Sequence, residues 1–137
     1  MNNNTAVTYL LNLALQHNIG VEFMDLSPST PPATNVSQRL IAMNANWHNR
    51  DDIPMQLAHE LGHIFNKDDE RSCLYFSPTK NGIEGKANQT AISLLLKPYL
   101  ESKEKEDVSS ADFITTFHLP IALEDMVITQ IADFYKK

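Results

Sequence analysis

The chain has 137 residues, 42% hydrophobic and 20% charged, and a formal net charge of -6. That length and balance fit one globular domain over residues 1–137 with a proper core, and exclude general disorder. Its eleven Lys and Arg are scattered along an acidic chain, which argues against the clustered basic surface that phosphate contacts need. A single cysteine, Cys73, excludes an internal disulfide, and no stretch approaches the ~18 consecutive apolar residues of a membrane span. The start, Met-Asn-Asn-Asn-Thr, has no basic run leading into an apolar one, so a cytoplasmic setting is expected.

From Thr5 to His17, Val7, Leu10, Leu11 and Ala14 recur at helical spacing, and Asn18-Ile19-Gly20 supplies a stop, which predicts a first helix. Val21 to Leu26 is short and rich in β-formers, and Ser27-Pro28-Ser29-Thr30-Pro31-Pro32 can continue neither helix nor ladder. A strand ending in a loop is expected there, with a second strand over Arg39 to Asn44. Asn46 to Asp52 reads as a polar turn into a helix over Ile53 to Phe65, with Asp51 or Asp52 as N-cap and Pro54 tolerated in the first turn.

This helix carries Ala58-His59-Glu60-Leu61-Gly62-His63, an HExxH motif that a shuffled chain of this composition would show only about one time in a hundred. On a helix, residues i and i+4 share a face, so His59 and His63 can offer two imidazole nitrogens to one Zn²⁺. Glu60 projects about 100° round from His59, where it can act on a coordinated water instead of binding the metal. A helical wheel gathers Ile53, Pro54, Leu57, Ala58, Leu61, Ile64 and Phe65 on a core face and sets Gln56, His59 and His63 opposite, with Glu60 at the border. Gly62 lies beside the histidines, where a missing side chain permits close approach of another backbone or a substrate.

Asn66 to Asn81 is irregular, with charges from Lys67 to Arg71, an apolar Leu74-Tyr75-Phe76 and the breakers Ser77-Pro78 and Asn81-Gly82. A helix is predicted from Ile83 to Lys97, with Pro98 closing it or soon following its end, and with Glu84, Asn88, Ala91 and Leu95 on one face and Lys86, Gln89, Ser93 and Lys97 on the other. Glu101 to Asp107 is a solvated charge run. Ser109 or Ser110 caps a short helix over Ala111 to Phe117, and a final amphipathic helix carries Leu123, Val127, Ile128, Ile131 and Tyr135.

A catalytic zinc site usually has three protein ligands and an open position, so the two histidines need a third donor. Glu84, on a separate helix with an inward-facing stripe, is the best candidate. HELGH followed by Glu84-Gly85-Lys86-Ala87-Asn88-Gln89-Thr90-Ala91 and Leu94-Leu95 resembles the ImmA/IrrE family of metallopeptidase-like proteins, whose pattern is HELGH, then ExxANxFAxxLL, then a proline. The likeness covers the central half of the chain. Thr90 stands where the family often has an aromatic, Lys86 where it often has an acidic residue, and Pro98 falls one place late.

The resemblance implies an α+β, zincin-like (gluzincin) domain, with the HExxH helix, a second ligand helix, a small antiparallel sheet and C-terminal helices. It assigns His59, His63 and Glu84 as metal ligands and Glu60 as general base in zinc-dependent peptide-bond hydrolysis. Tyr75, Tyr99 and His118 are unranked candidates for stabilising the oxyanion. Several members of the family act on repressors of prophages or mobile elements, which implies a helix-turn-helix repressor as substrate or partner. The alternatives are a metal-containing antirepressor that sequesters its partner without cutting it, and a general small peptidase. Of the remaining residues, Asn88 reads as a hydrogen-bond partner to a ligand or as a buried polar residue, Cys73 as a quiet thiol, and Trp47 as a hydrophobic anchor.

Overall fold

The computed structural model describes residues 1–67, the backbone of 74–75, and 82–136. Expectations for Asp68 to Cys73, the Tyr75 side chain and Phe76 to Asn81 lie outside the described residues. Helix α1 (Asn3–Gln16) opens on Asn2, whose side chain accepts from Thr5 N at 2.8 Å, and buries Ala6, Leu10 and Ala14 at intervals of four. Asn18 then takes φ 58, the left-handed conformation that ends a helix, and Ile19 N reaches back to Ala14 O at 2.9 Å.

Four strands follow the order β1-β3-β2-β4: β1 (Gly20–Met24), β2 (Ala33–Asn35), β3 (Leu40–Asn44) and β4 (Leu74–Tyr75). The sheet is mixed, a correction to the antiparallel sheet expected from sequence. β1 runs parallel to β3, with Val21 opposite Ile41, while β2 pairs antiparallel with both β3 and β4. The cause is the chain from 25 to 39, which passes beyond β3 before returning, as a parallel pairing requires. Asn44, fully buried, pins this crossover: its Nδ2 donates to Ser27 O and Thr30 O, and its Oδ1 accepts from Leu26 N and Asn46 N. The β2 to β3 turn closes with Arg39 at φ 54. Thr34, Ile41 and Met43 lie buried under the helices, whereas Leu40 is 44% exposed.

Helix α2 (Ile53–Phe65) is the hub, packed against α1, β2, β3, β4 and α3 (Gly82–Glu101). The wheel distinguished a core face from a ligand face, yet both are buried here, because α3 covers the second; Pro54 to Ile64 are all buried. Gly62 explains how α3 comes so close. A Cβ at that position would stand 2.8 Å from Ala87 O and 3.3 Å from Ala87 Cα. The α3 faces are as predicted, with Asn88, Ala91 and Leu95 buried and Lys86, Gln89, Ser93 and Lys97 exposed.

Pro98 does not close α3, which continues to Glu101. A proline inside a helix costs about 3 kcal/mol, and burying a large apolar side chain gains about 1.5–3 kcal/mol. Tyr99 and Leu100, 1% and 3% exposed, both gain that burial by staying helical, which outweighs the loss. Tyr99 meets Phe113 and Phe117 edge-on, with centroids 5.1 and 6.1 Å away. Phe113 lies on α4 (Ser110–Thr116) and Phe117 is its C-cap; Ser109 caps the other end, its hydroxyl accepting from Asp112 N at 3.2 Å. Helix α5 (Glu124–Tyr135) packs on α3 and α4 through Val127, while Ile128 is 47% exposed. Among the described residues, no helix is long and apolar enough to cross a membrane.

Candidate metal centre

One turn of α2 stacks His59 over His63, with ring centroids 4.7 Å apart and planes at 88°. Both rings are fully buried. Across from them, α3 presents Glu84 from its first turn, with Oε1 at 2.9 Å from His59 Nε2 and Oε2 at 3.1 Å from His63 Nε2. The three residues that sequence spacing selected therefore converge. Their donor atoms lie within 4.8 Å of one another, close enough to hold one metal ion. This is consistent with a zincin-like site.

The protonation chemistry tests that fit. Asn88 Oδ1 accepts a hydrogen bond from His59 Nδ1 at 2.6 Å, which leaves the lone pair of a neutral imidazole on Nε2. That lone pair faces a carboxylate oxygen, so a second proton or a cation must sit between two acceptors. Burial is the main effect holding His59 below its ordinary pKa of 6.5, against the pull of Glu84, and so disfavours the second proton. Two imidazole nitrogens and a carboxylate suit zinc and other borderline divalent ions.

Glu60, one residue on from His59, is fully buried. Its Oε1 accepts from Thr34 Oγ1 at 2.5 Å, and its Oε2 has no hydrogen-bond partner among the described residues. Burial pushes the carboxyl well above the usual carboxylate range, the Thr34 hydroxyl draws it partly back, and the charge of Glu84 adds to the rise. A buried carboxylate oxygen without a donor is costly unless a ligand or water supplies one. Glu60 therefore has one oxygen fixed by the fold and one left for chemistry.

Thr34 is the part of this arrangement that motif reading missed. Its strand has only three residues, directly after Pro31-Pro32, too few for periodicity to register. The only local hint was the β-branched pair Thr34 and Val36, two apart, which is too short to register as a period. Asn88 resolves into the hydrogen-bond partner of His59.

The oxyanion candidates fare differently. Tyr99 sits fifteen residues along α3 from Glu84, about 22 Å at 1.5 Å per residue, with its hydroxyl engaged by Asp112. His118 is tied by Nδ1 to Asp52 at the start of α2, roughly 10 Å along the helix from His59. Tyr99 is thus remote from the metal centre, while His118 is held by Asp52 roughly one to two turns of α2 before it. A cavity of about 910 Å³ also lies elsewhere, lined by the Lys86, Gln89, Ser93 and Lys97 face of α3. The chain matches no protein-family model, no curated protein and no solved structure.

Proposed function

We propose that this protein is a zinc-dependent metallopeptidase of the ImmA/IrrE kind, cutting a specific protein such as a helix-turn-helix repressor of a prophage or mobile element. The observation that carries the hydrolytic part is the unpartnered Glu60 Oε2 beside the convergent His59, His63 and Glu84. The repressor rests on the resemblance of HELGH and Glu84 to Leu95 to that family.

His59, His63 and Glu84 would hold the ion, which when bound would supply the acidification of an attacking water and the polarisation of a scissile carbonyl. Asn88 fixes the His59 tautomer, and Thr34 fixes the rotamer of Glu60. Glu60 accepts the proton of the attacking water at Oε2 and returns it to the leaving amine. Burial, which raises its pKa, favours holding the proton between those two transfers. Burial excludes bulk water from competing for the same oxygen.

The test compares zinc-loaded wild type with Glu60→Gln on candidate repressors, reading fragments by mass spectrometry. Wild type should cut at a defined site, and Glu60→Gln should bind zinc and capture the repressor uncut. Full derepression in cells by Glu60→Gln would instead establish sequestration without cleavage.

A further inference from the structure

At the N-terminal end of α2 lies a cavity of about 230 Å³, walled by Trp47, Met55, Leu119 and Pro120 together with the polar side chains of Asp52, Gln56 and His118. Each oxygen of the Asp52 carboxylate is engaged. Its Oδ2 accepts from Trp47 Nε1 at 2.8 Å, and its Oδ1 meets His118 Nδ1. These two bonds fix the indole and the imidazole as walls and explain why Asp52, at the N-cap position of α2, makes no capping bond. Gln56 differs. It is 2% exposed, and its Oε1 has no hydrogen-bond partner among the described residues.

An unsatisfied buried acceptor is costly, and a ligand bearing a donor recovers that cost. Gln56 precedes His59 by three residues and Glu60 by four, so its Cβ lies ~5–6 Å from theirs on the same helical surface. Gln56 thus ties the cavity to the helix that carries His59 and Glu60, one turn before them. At 230 Å³ it is smaller than the ~300–1,000 Å³ of pockets that take whole small molecules, and fits one large side chain. Apolar walls and a single acceptor call for an aromatic body with a donor at its tip. Phenylalanine would bury the Gln56 oxygen without a partner, and an acidic side chain would set its charge against Asp52.

We propose that this cavity is a side-chain subsite for tyrosine or tryptophan of a peptide, with Gln56 Oε1 accepting the O–H or N–H. That the occupant belongs to a substrate rests on the peptidase reading; the binding chemistry does not. Trp47 is the only tryptophan in the chain and lines the cavity, so its indole N–H resonance reports occupancy. The zinc-loaded protein is titrated with N-acetyltyrosinamide and N-acetylphenylalaninamide. The tyrosine probe should shift that resonance with about tenfold higher affinity, and Gln56→Met should bring the two probes level. Equal affinities in the wild-type chain, or no shift of Trp47 with either probe, overturn the subsite. The wild-type comparison decides alone should Gln56→Met fail to fold. A protein that passes but cuts no peptide keeps the subsite and loses the proposed function; one that cuts but fails this comparison loses the subsite alone.

Discussion

Thr34 Oγ1 donates to Glu60 Oε1 across 2.5 Å between two fully buried side chains, one on a three-residue strand and the other inside the HExxH motif. The bond commits one carboxylate oxygen and leaves the other available. Thr34→Val keeps the shape and removes the donor. A hydrogen bond to a charged group is worth about 1.5–3 kcal/mol, so kcat/KM should fall about ten- to hundredfold while bound zinc stays at the wild-type level. Unchanged turnover would remove Thr34 from the account.

Asn88 holds the other end of the ligand set. Without its Oδ1, His59 Nδ1 loses its acceptor and the ring loses its fixed tautomer. Partners of this kind typically contribute 10–100-fold in metal affinity, so Asn88→Ala should weaken zinc binding by about that factor in competition with a chelator. Asn88→Asp, which retains an acceptor, should restore most of it.

Gly62→Ala would ordinarily favour a helix by ~1 kcal/mol. Here the added methyl meets backbone atoms of Ala87, which cannot rotate away. Forcing α2 and α3 apart costs about 1–3 kcal/mol, so the denaturation midpoint in urea should drop with an unchanged m-value. Zinc affinity should drop too, because Glu84 moves with α3.

The Tyr99 hydroxyl donates to Asp112, and burial, followed by that hydrogen bond and the Asp112 charge, pushes its pKa well above the ordinary value of 10.0. The folded state therefore holds this proton more tightly than the unfolded chain. Stability from this group is complete below about pH 10 and is lost as pH rises beyond the unfolded value. Tyr99→Phe should flatten the alkaline limb of a stability-against-pH curve. An alkaline limb of unchanged slope would assign the loss to other groups.

Local pattern carried the helices and three members of the site. His59 and His63 were legible because α2 realises the four-residue spacing as one turn, and Glu84 because the apolar stripe of α3 fixes which side faces inward. Long-range pairing was not legible. The parallel partnership of β1 with β3 depends on the crossover pinned by Asn44, and nothing in either strand encodes its neighbour. Thr34 was lost with β2, whose three residues fall below any periodic signal. Pro98 misled for a different reason: local preference ended the helix where tertiary burial of Tyr99 and Leu100 extended it. The same override hid the enclosure of the ligand face, which depends on α3 approaching at Gly62.

The most direct measurement is zinc bound per chain in wild type, Glu60→Gln and Glu84→Ala, determined after equilibration against a chelating competitor. One equivalent in wild type, one in Glu60→Gln and a steep loss in Glu84→Ala are expected, because Glu84 converges on the two histidines and Glu60, outside that cluster, is proposed to move protons instead. Full zinc retention by Glu84→Ala, or loss in Glu60→Gln with Glu84→Ala intact, would contradict the assignment of this centre.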